Sequence, residues 1–504
     1  MSLVRAILEC WASDELSKPH TVDKLVTLGK PLDLATEATN KLDDILCLWS
    51  KFAAAPPLRL PKEIQEARKS GHTVWATQPT RHEHNEKSDP YRGEYQRDRD
   101  RVLWSSGLRR LSDKTQLFPV EHDDDLRQRL AHSLEVFQLA ATIGASFGLD
   151  SDLIEAGALA HDIGHTPFGH AGEHALDKLM NTIAEELGGF NHYEHGVDVV
   201  RYLEGPYYTS PTTPFCGLNL TAEVLECVIK HTYCHRGESL STEEILKRSK
   251  HKSIIQPGFC HLEGQAVRAA DKISYLISDL EDGIRLGALT NEDVLSCRFF
   301  HTPPLDFTLG KKETFHQRFL QQRRWILKIL MEDILTSSNK RISRLSSSGS
   351  PKSVRDASEY TIQHSEEILH DIEEIWVKLQ AGKLHTDRRV VSANLHASRI
   401  VAELFISYCV MPELIEKRFR SEYERLHSSK YMDHYRGKVG KRITLRRDLV
   451  GFLPMNLMIG TIHKANQDVT IPIEHLIMAK DYVAALSDSR ATAFHGEIIK
   501  GEKH

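Results

Sequence analysis

The stretch ALAHDIGHTPFGHAGEHAL, residues 158–176, decides how the rest of the chain is read. It opens at the end of a segment rich in small residues (Ala156, Gly157, Ala158, Ala160), which predicts a helix that neighbouring backbones can approach closely. His161 and Asp162 are adjacent at that helix end, so an imidazole and a carboxylate can converge on one ion. His165 lies one turn beyond His161 and shares its face if the helix continues that far. Gly164, Pro167 and Gly169 then break the helix and present side chains from a turn. After the turn, His170 and Glu173 stand at i,i+3 on a second helix, a spacing suited to a hydrogen-bonded proton-transfer pair.

One His-Asp pair does not hold a hydrolytic metal; further ligands must fix the ion while leaving positions open. Two stretches can supply them. In LRQRLAHSLEVFQLA (126–140) the face through His132 continues with Val136, Leu139 and Ile143, which turns His132 inward. Arg129, one turn earlier on the neighbouring flank, is a candidate phosphate clamp. In AVRAADKISYLISDLEDGI (266–284), Ile273, Leu276, Ile277, Leu280 and Ile284 form an apolar face, and Asp271, Tyr275, Asp279 and Asp282 line the opposite one. Taken alone, that polar ridge reads as a solvated helix face.

Around these stretches the chain reads as mainly α. At 504 residues it is long enough for an enclosed site. Its 40% hydrophobic and 27% charged content is that of a globular chain, neither disordered nor membrane-embedded. A net charge of -5 gives no global pull on polyanions, so any phosphate site must be a local cluster. The 28 histidines direct the search to metal ligands. The eight cysteines are scattered without a Cys-x-x-Cys pair, which, with no run of ~18 apolar residues and no secretory segment in MSLVRAILECWASDEL, predicts a reduced, cytoplasmic protein. Residues 1–94 read as a helical leader and a Pro/His/charged loop, with the compact part starting near Tyr95. Residues 95–290 form a helical core and 291–504 a helical C-terminal region. A flexible Ser-rich loop is expected near 337–353, and KRITLRRDLVGFLP (441–454) suggests a short strand or hairpin.

His132, His161-Asp162 and Asp271 resemble, in order and helical context, the H…HD…D metal signature of the HD superfamily. Longer strings are similar to the dGTPase family of deoxynucleoside triphosphate (dNTP) triphosphohydrolases: YQRDRDRVLWSSGLRRLSDKTQLFP, RQRLAHSLEVFQLA, HDIGHTPFGHAGE, GLNLTAEVLE with KHT, and AADKISYLISDLEDG. The similarity covers roughly Tyr95 to Leu289 and reappears weakly at DYVAALSDSRATA, where relatives carry a more regular Asp-Arg-aromatic ending. The resemblance implies an HD-domain helical fold with helical N- and C-terminal additions. It also implies one divalent ion (Mn, Mg or another transition metal) held by His132, His161, Asp162 and Asp271. Hydrolysis of a dNTP to deoxynucleoside and tripolyphosphate would follow, by water attack at the α-phosphorus. In that scheme His170 transfers the proton, Glu173 orients it and His165 touches phosphate. Arg129 meets phosphate, Gln116, Tyr275 and Asp279 surround the deoxyribose, and His192, in GGFNHYEHG (188–196), belongs to a segment that closes the site.

Other readings compete. His231, Cys234 and His235 imitate metal-ligand spacing, but His231 falls in the family's KHT segment, so a second metal is not expected. The basic and aromatic run from Lys417 to Arg447 suits either a solvated helix or a surface for an effector nucleotide or single-stranded DNA. Family resemblance adds a homo-oligomer, often a hexamer, and a possible nucleotide activator; no membrane partner is expected. P-loop and G-x-G-x-x-G fingerprints are missing. The string HDIGH fits neither the HD-x-x-E-D of alarmone hydrolases nor the Lys that follows the HD pair in cyclic-dinucleotide enzymes. Another HD nucleotidase or phosphodiesterase, and a dNTP-sensing scaffold without turnover, remain the alternatives.

Overall fold

Apolar residues at helical spacing become helices through most of the structure, a computed structural model that describes residues 72–500 apart from 81, 119–122, 206, 211–212, 216, 232–248, 253–255, 346–350, 427–429, 447–448 and 450–467. The first part comprises α1 (Glu94–Trp104), α2 (Arg129–Phe147), α3 (Ser151–Ala160), α4 (Gly169–Ala184), α5 (His192–Asp198), α6 (Ala222–Lys230) and α7 (Leu262–Arg285). Then come α8 (Phe315–Leu345), α9 (Glu366–Ile375), α10 (Arg388–Val410), α11 (Lys417–Leu426), α12 (Ile473–Ala485) and α13 (Asp488–His495). Two antiparallel strand pairs accompany the helices among the described residues: β1 (Tyr207–Ser210) pairs with β2 (Thr213–Phe215), and β3 (Arg442–Leu445) with β4 (Val469–Pro472). The strand expected in 441–454 is therefore β3, its partner lying well beyond that stretch. Among the described residues no helix is long and apolar enough to cross a membrane.

The most extensive helix contact is α2 against α7. Val136, Leu139 and Ile143 of α2 meet Ile273, Leu276, Ile277 and Leu280 of α7 in one buried cluster, each side chain contributing about 1.5–3 kcal/mol by leaving water. Helix α2 stops at Gly148, whose φ of 60° is the left-handed conformation that ends helices cheaply with glycine. The side chain of Asp150 then caps α3 by accepting the Leu153 N–H. Helix α3 runs between α2, α6 and α7 and delivers His161 at its end.

Two expectations need correction. Residues 337–345 finish α8 instead of forming a loop. Ile326, Leu330, Ile334, Ser338 and Ile342 make a buried stripe every fourth residue, and Arg341 donates to the carbonyls of Gln363 and His364, so the serines ride on a helix already anchored by its apolar face. The compact body also begins before Tyr95. Thr77 donates its N–H and hydroxyl to buried Glu263, and Glu86 is bridged by Arg97 and Arg101. Of the leader and loop expected over residues 1–94, residues 1–71 lie outside the described residues.

The C-terminal helices are tied to the turn after His161-Asp162. Buried Lys114 donates to the carbonyls of His165 and Ala484. Asp488 accepts the Phe168 N–H at 2.7 Å and both the N–H and hydroxyl of Thr115, at 2.8 and 2.6 Å. The SDSRATA segment thus packs on the site-bearing turn despite its departure from the family ending.

On the other side of that turn, α5 presses against Gly164. A Cβ there would lie 1.9 Å from the His192 carbonyl oxygen and 2.3 Å from the Gly196 nitrogen, so only glycine lets the two backbones meet. Gly164→Ala is expected to cost about 3 kcal/mol or more, because both clashes are with backbone. Thermal denaturation checks this, and a variant melting like the wild type would contradict the close approach.

Candidate metal centre and cleft

The end of α3 and facing positions of α2 and α7 bring four side chains to one buried point. His132 Nε2 lies 2.9 Å from Asp271 Oδ1. His161 Nε2 lies 3.5 Å from Asp162 Oδ1 and 3.8 Å from Asp271 Oδ1. All four are buried, Asp271 the most accessible at 7%. The polar ridge on α7 is therefore interior, with Asp279 and Asp282 buried as well.

Protonation states follow from the neighbours. The ring nitrogen Nδ1 of His161 is 2.7 Å from the Ala158 carbonyl, which can only accept, so Nδ1 carries the proton and Nε2 presents a lone pair. That buried Nε2 has no hydrogen-bond partner. A lone pair facing two carboxylate oxygens is unfavourable unless a cation sits among them. The nitrogen and carboxylate donors fit a divalent ion such as Mn, Fe, Co, Zn or Mg. Burial opposes ionisation of Asp162, but the Arg129 guanidinium and the His165 N–H outweigh it and hold its pKa well below the usual carboxylate range.

Arg129, 1% exposed, donates from Nη1 to Asp162 Oδ2 at 2.9 Å; its Nε and Nη2 have no hydrogen-bond partner. His165 Nε2 lies 3.1 Å from Asp162 Oδ1, and burial, with Arg129 and His192 nearby, pushes its pKa well down, leaving a neutral ring. Glu173 accepts the backbone N–H of His192 and contacts His192 Nδ1 at 2.9–3.0 Å. The expected His170–Glu173 pair is thus replaced by a His192–Glu173 pair, because the α5 backbone seated on Gly164 delivers His192 directly over α4. His170 lies exposed along the cleft, its ring centroid 5.3 Å from that of His165.

His231 belongs to this site, though the sequence offered only an ambiguous spacing for it. Its Nδ1 is 2.5 Å from the Val228 carbonyl, so its Nε2 is free to accept, and that atom lies 3.2 Å from His192 Nε2. His192 therefore faces acceptors on both ring nitrogens. Burial disfavours its charge, but Glu173 prevails and raises its pKa. Asp162, His192 and His231 form one cluster with metal-ligand spacing, and His132, His161 and Asp162 another. Cys234 and His235 fall outside the described residues.

A cleft of about 580 Å³ adjoins these groups. Gln116, His170, Glu173, His192 and Tyr275 line it, together with Trp376, His385, Val390 and Asn394 from the C-terminal region. The buried Oε1 of Gln116 has no hydrogen-bond partner. The Tyr275 hydroxyl is 3.4 Å from His385 Nε2. Asp279 sits behind this wall, 1% exposed, accepting from Gln380 Nε2 at 3.1 Å.

A protein-family model described as HD domain matches residues 129–276, the segment that carries all four converging side chains. A Roseobacter denitrificans protein named deoxyguanosinetriphosphate triphosphohydrolase-like is 33% identical over 354 residues, 68% of this chain and 86% of its own length. Proteins of the same name from Bordetella pertussis (35% over 358 residues, 70% and 88%) and Bartonella tribocorum (34% over 341 residues, 65% and 81%) are also similar. The chain belongs to this family. Membership in the deoxyguanosinetriphosphate triphosphohydrolase-like group of HD proteins makes it a hydrolase with a helical HD core.

The basic and aromatic run Lys417–Arg447 reads in the sequence as either a solvated helix or a surface for an effector nucleotide or single-stranded DNA. Tyr423, Tyr431 and Tyr435 of that run are buried, and Tyr431 donates to Asp481 at 2.5 Å, so these rings offer no platform for base stacking. The charged residues Lys417, Arg418, Arg436, Lys441 and Arg442 stay on the outside.

Burial and the neighbouring Asp282 raise the pKa of Asp279 from 3.8 to about 7 against the hydrogen bonds from Tyr275 and Gln380. A carboxyl that binds its proton more tightly when folded favours the native state at low pH, and that advantage is lost as pH rises from about 4 to about 7, by at most about 1.4 kcal/mol per unit. Asp279→Asn is therefore expected to gain stability over the wild type between pH 5 and 8. Denaturant melts at both values check it; parallel pH profiles would contradict the assignment.

Proposed function

We propose that the chain hydrolyses a dNTP to deoxynucleoside and tripolyphosphate, water attacking the α-phosphorus. The observation that carries this is the uncompensated lone pair of His161 Nε2 facing Asp162 and Asp271 beside a nucleotide-sized cleft. His132, His161, Asp162 and Asp271 would hold one divalent cation, Mn, Mg or another transition metal. When bound, such an ion polarises a phosphoryl oxygen and lowers the pKa of water.

The remaining steps belong to the chain's own side chains. Arg129 offers Nη2 and Nε to phosphate oxygens while Nη1 keeps Asp162 in place. Neutral His165 keeps its single N–H on Asp162 and would touch phosphate as an uncharged ring beside it. His192, held by Glu173, is the better-supported proton donor for the leaving 5′-oxygen, with His170 at the cleft surface within one ring's reach. Gln116 Oε1 accepts from a sugar hydroxyl, and Tyr275 closes the sugar edge, with Asp279 acting through the wall behind it. The dGTP named for the relatives is the first substrate to test. A homo-oligomer with a nucleotide activator remains part of the reading through family resemblance alone, and a cytoplasmic location through the scattered cysteines and the lack of a long apolar run.

Product analysis tests the proposal. Incubation of each dNTP with Mn²⁺ or Mg²⁺ is expected to release tripolyphosphate. Pyrophosphate, a monophosphate or unchanged nucleotide would select another phosphohydrolase or a sensor. His161→Ala is expected to abolish both metal binding and turnover; an active, metal-replete variant would remove the ligand assignment.

A further inference from the structure

Two polar side chains behind the metal centre have no part in the roles above. Ser274 lies one turn after Asp271 on α7 and is 3% exposed. Glu135 lies one turn after His132 on α2. The Ser274 Oγ is 3.0 Å from Glu135 Oε2 and 3.2 Å from His132 Nδ1. Glu135 is pinned from its other oxygen by Arg127 Nε at 2.9 Å, and Arg127 is itself bound to Asp282 at 2.7 Å.

The proton count leaves one arrangement. A hydroxyl has one hydrogen, and an ionised carboxylate can only accept. Ser274 therefore donates to Glu135, and its oxygen lone pair receives the Nδ1–H of His132. Nδ1 therefore carries a proton held by Ser274, and Nε2, 2.9 Å from Asp271 Oδ1 and facing the centre, is the nitrogen that would exchange its contact with Asp271 for the metal. We propose that Ser274 and Glu135 are positioning residues that fix the tautomer and ring orientation of His132 for metal binding. His161 needs no such pair, since the Ala158 carbonyl does the same for it. Each of the two central helices thus contributes a ligand and, one turn on, the group that aims the α2 ligand.

The inference rests on the metal-centre reading, and the experiment separates the two. Mn²⁺ binding to the full chain is measured by titration calorimetry, with thermal melts of the metal-free proteins alongside. Ser274→Ala is expected to weaken Mn²⁺ on the order of 10-fold without changing the metal-free melt, and Ser274→Thr, which keeps the hydroxyl, to restore wild-type affinity. Glu135→Ala, at a side chain 39% exposed, is expected to weaken Mn²⁺ several-fold and serves if Ser274→Ala does not fold. Wild-type affinity in Ser274→Ala and Glu135→Ala would overturn the positioning role. Absence of Mn²⁺ binding in the wild type would instead overturn the metal centre.

Discussion

The structure is organised around two buried carboxylates that face an imidazole nitrogen with no hydrogen-bond partner. Asp162 and Asp271 come within reach of His161 Nε2, a nitrogen whose proton is held on the far side of the ring. Arg129 answers one oxygen of Asp162, and His132 answers Asp271, but His161 Nε2 is left without a hydrogen-bond partner. Leaving such groups unpaired in the interior costs several kcal/mol, so the geometry is sustainable with a cation present. The close packing of α2 on α7 and the glycine and alanine content of α3 are what bring three separate helices near enough to impose it.

How much of this was legible in the sequence depended on the kind of signal. His132, His161 and Asp162 were readable because helical periodicity placed them on an inward face or a helix end; Asp271 sat on a ridge that periodicity alone made solvated and was picked out by the family resemblance, and the structure brings all four together. The partner of Glu173 was not readable. Spacing pointed to His170 on the same helix, whereas His192 arrives through a backbone contact at Gly164 that no periodicity encodes. His231 was hidden in a similar way, its role set by a carbonyl one turn back that frees the nitrogen facing His192. Trp376, His385 and Asn394 reach the cleft from about a hundred residues beyond α7, where nothing local marks them.

Composition misled where it was allowed to outweigh spacing. The serines near 337–353 suggested a loose loop, yet Ile342 continues the stripe of Ile334 and Ser338 and carries the helix through. The tyrosines among the basic residues of 417–447 suggested an exposed platform, yet their hydroxyls serve Asp481 and Lys480 inside. In both places the burial of a few residues at helical intervals decided the structure, and the surrounding polar majority followed.

The clamp made by Lys114 and Asp488 gives the site a history as well as a shape. Asp488 is separated from the Phe168 turn it secures by 320 residues, and Ala484 from Lys114 by 370. At a synthesis rate of about 5–20 residues per second, the turn beside His161 waits roughly 16–64 s after emerging before its last hydrogen-bond acceptors exist. The ligand-bearing helices are therefore made early and secured late, and a growing polypeptide carries the elements of the centre well before it can hold them still.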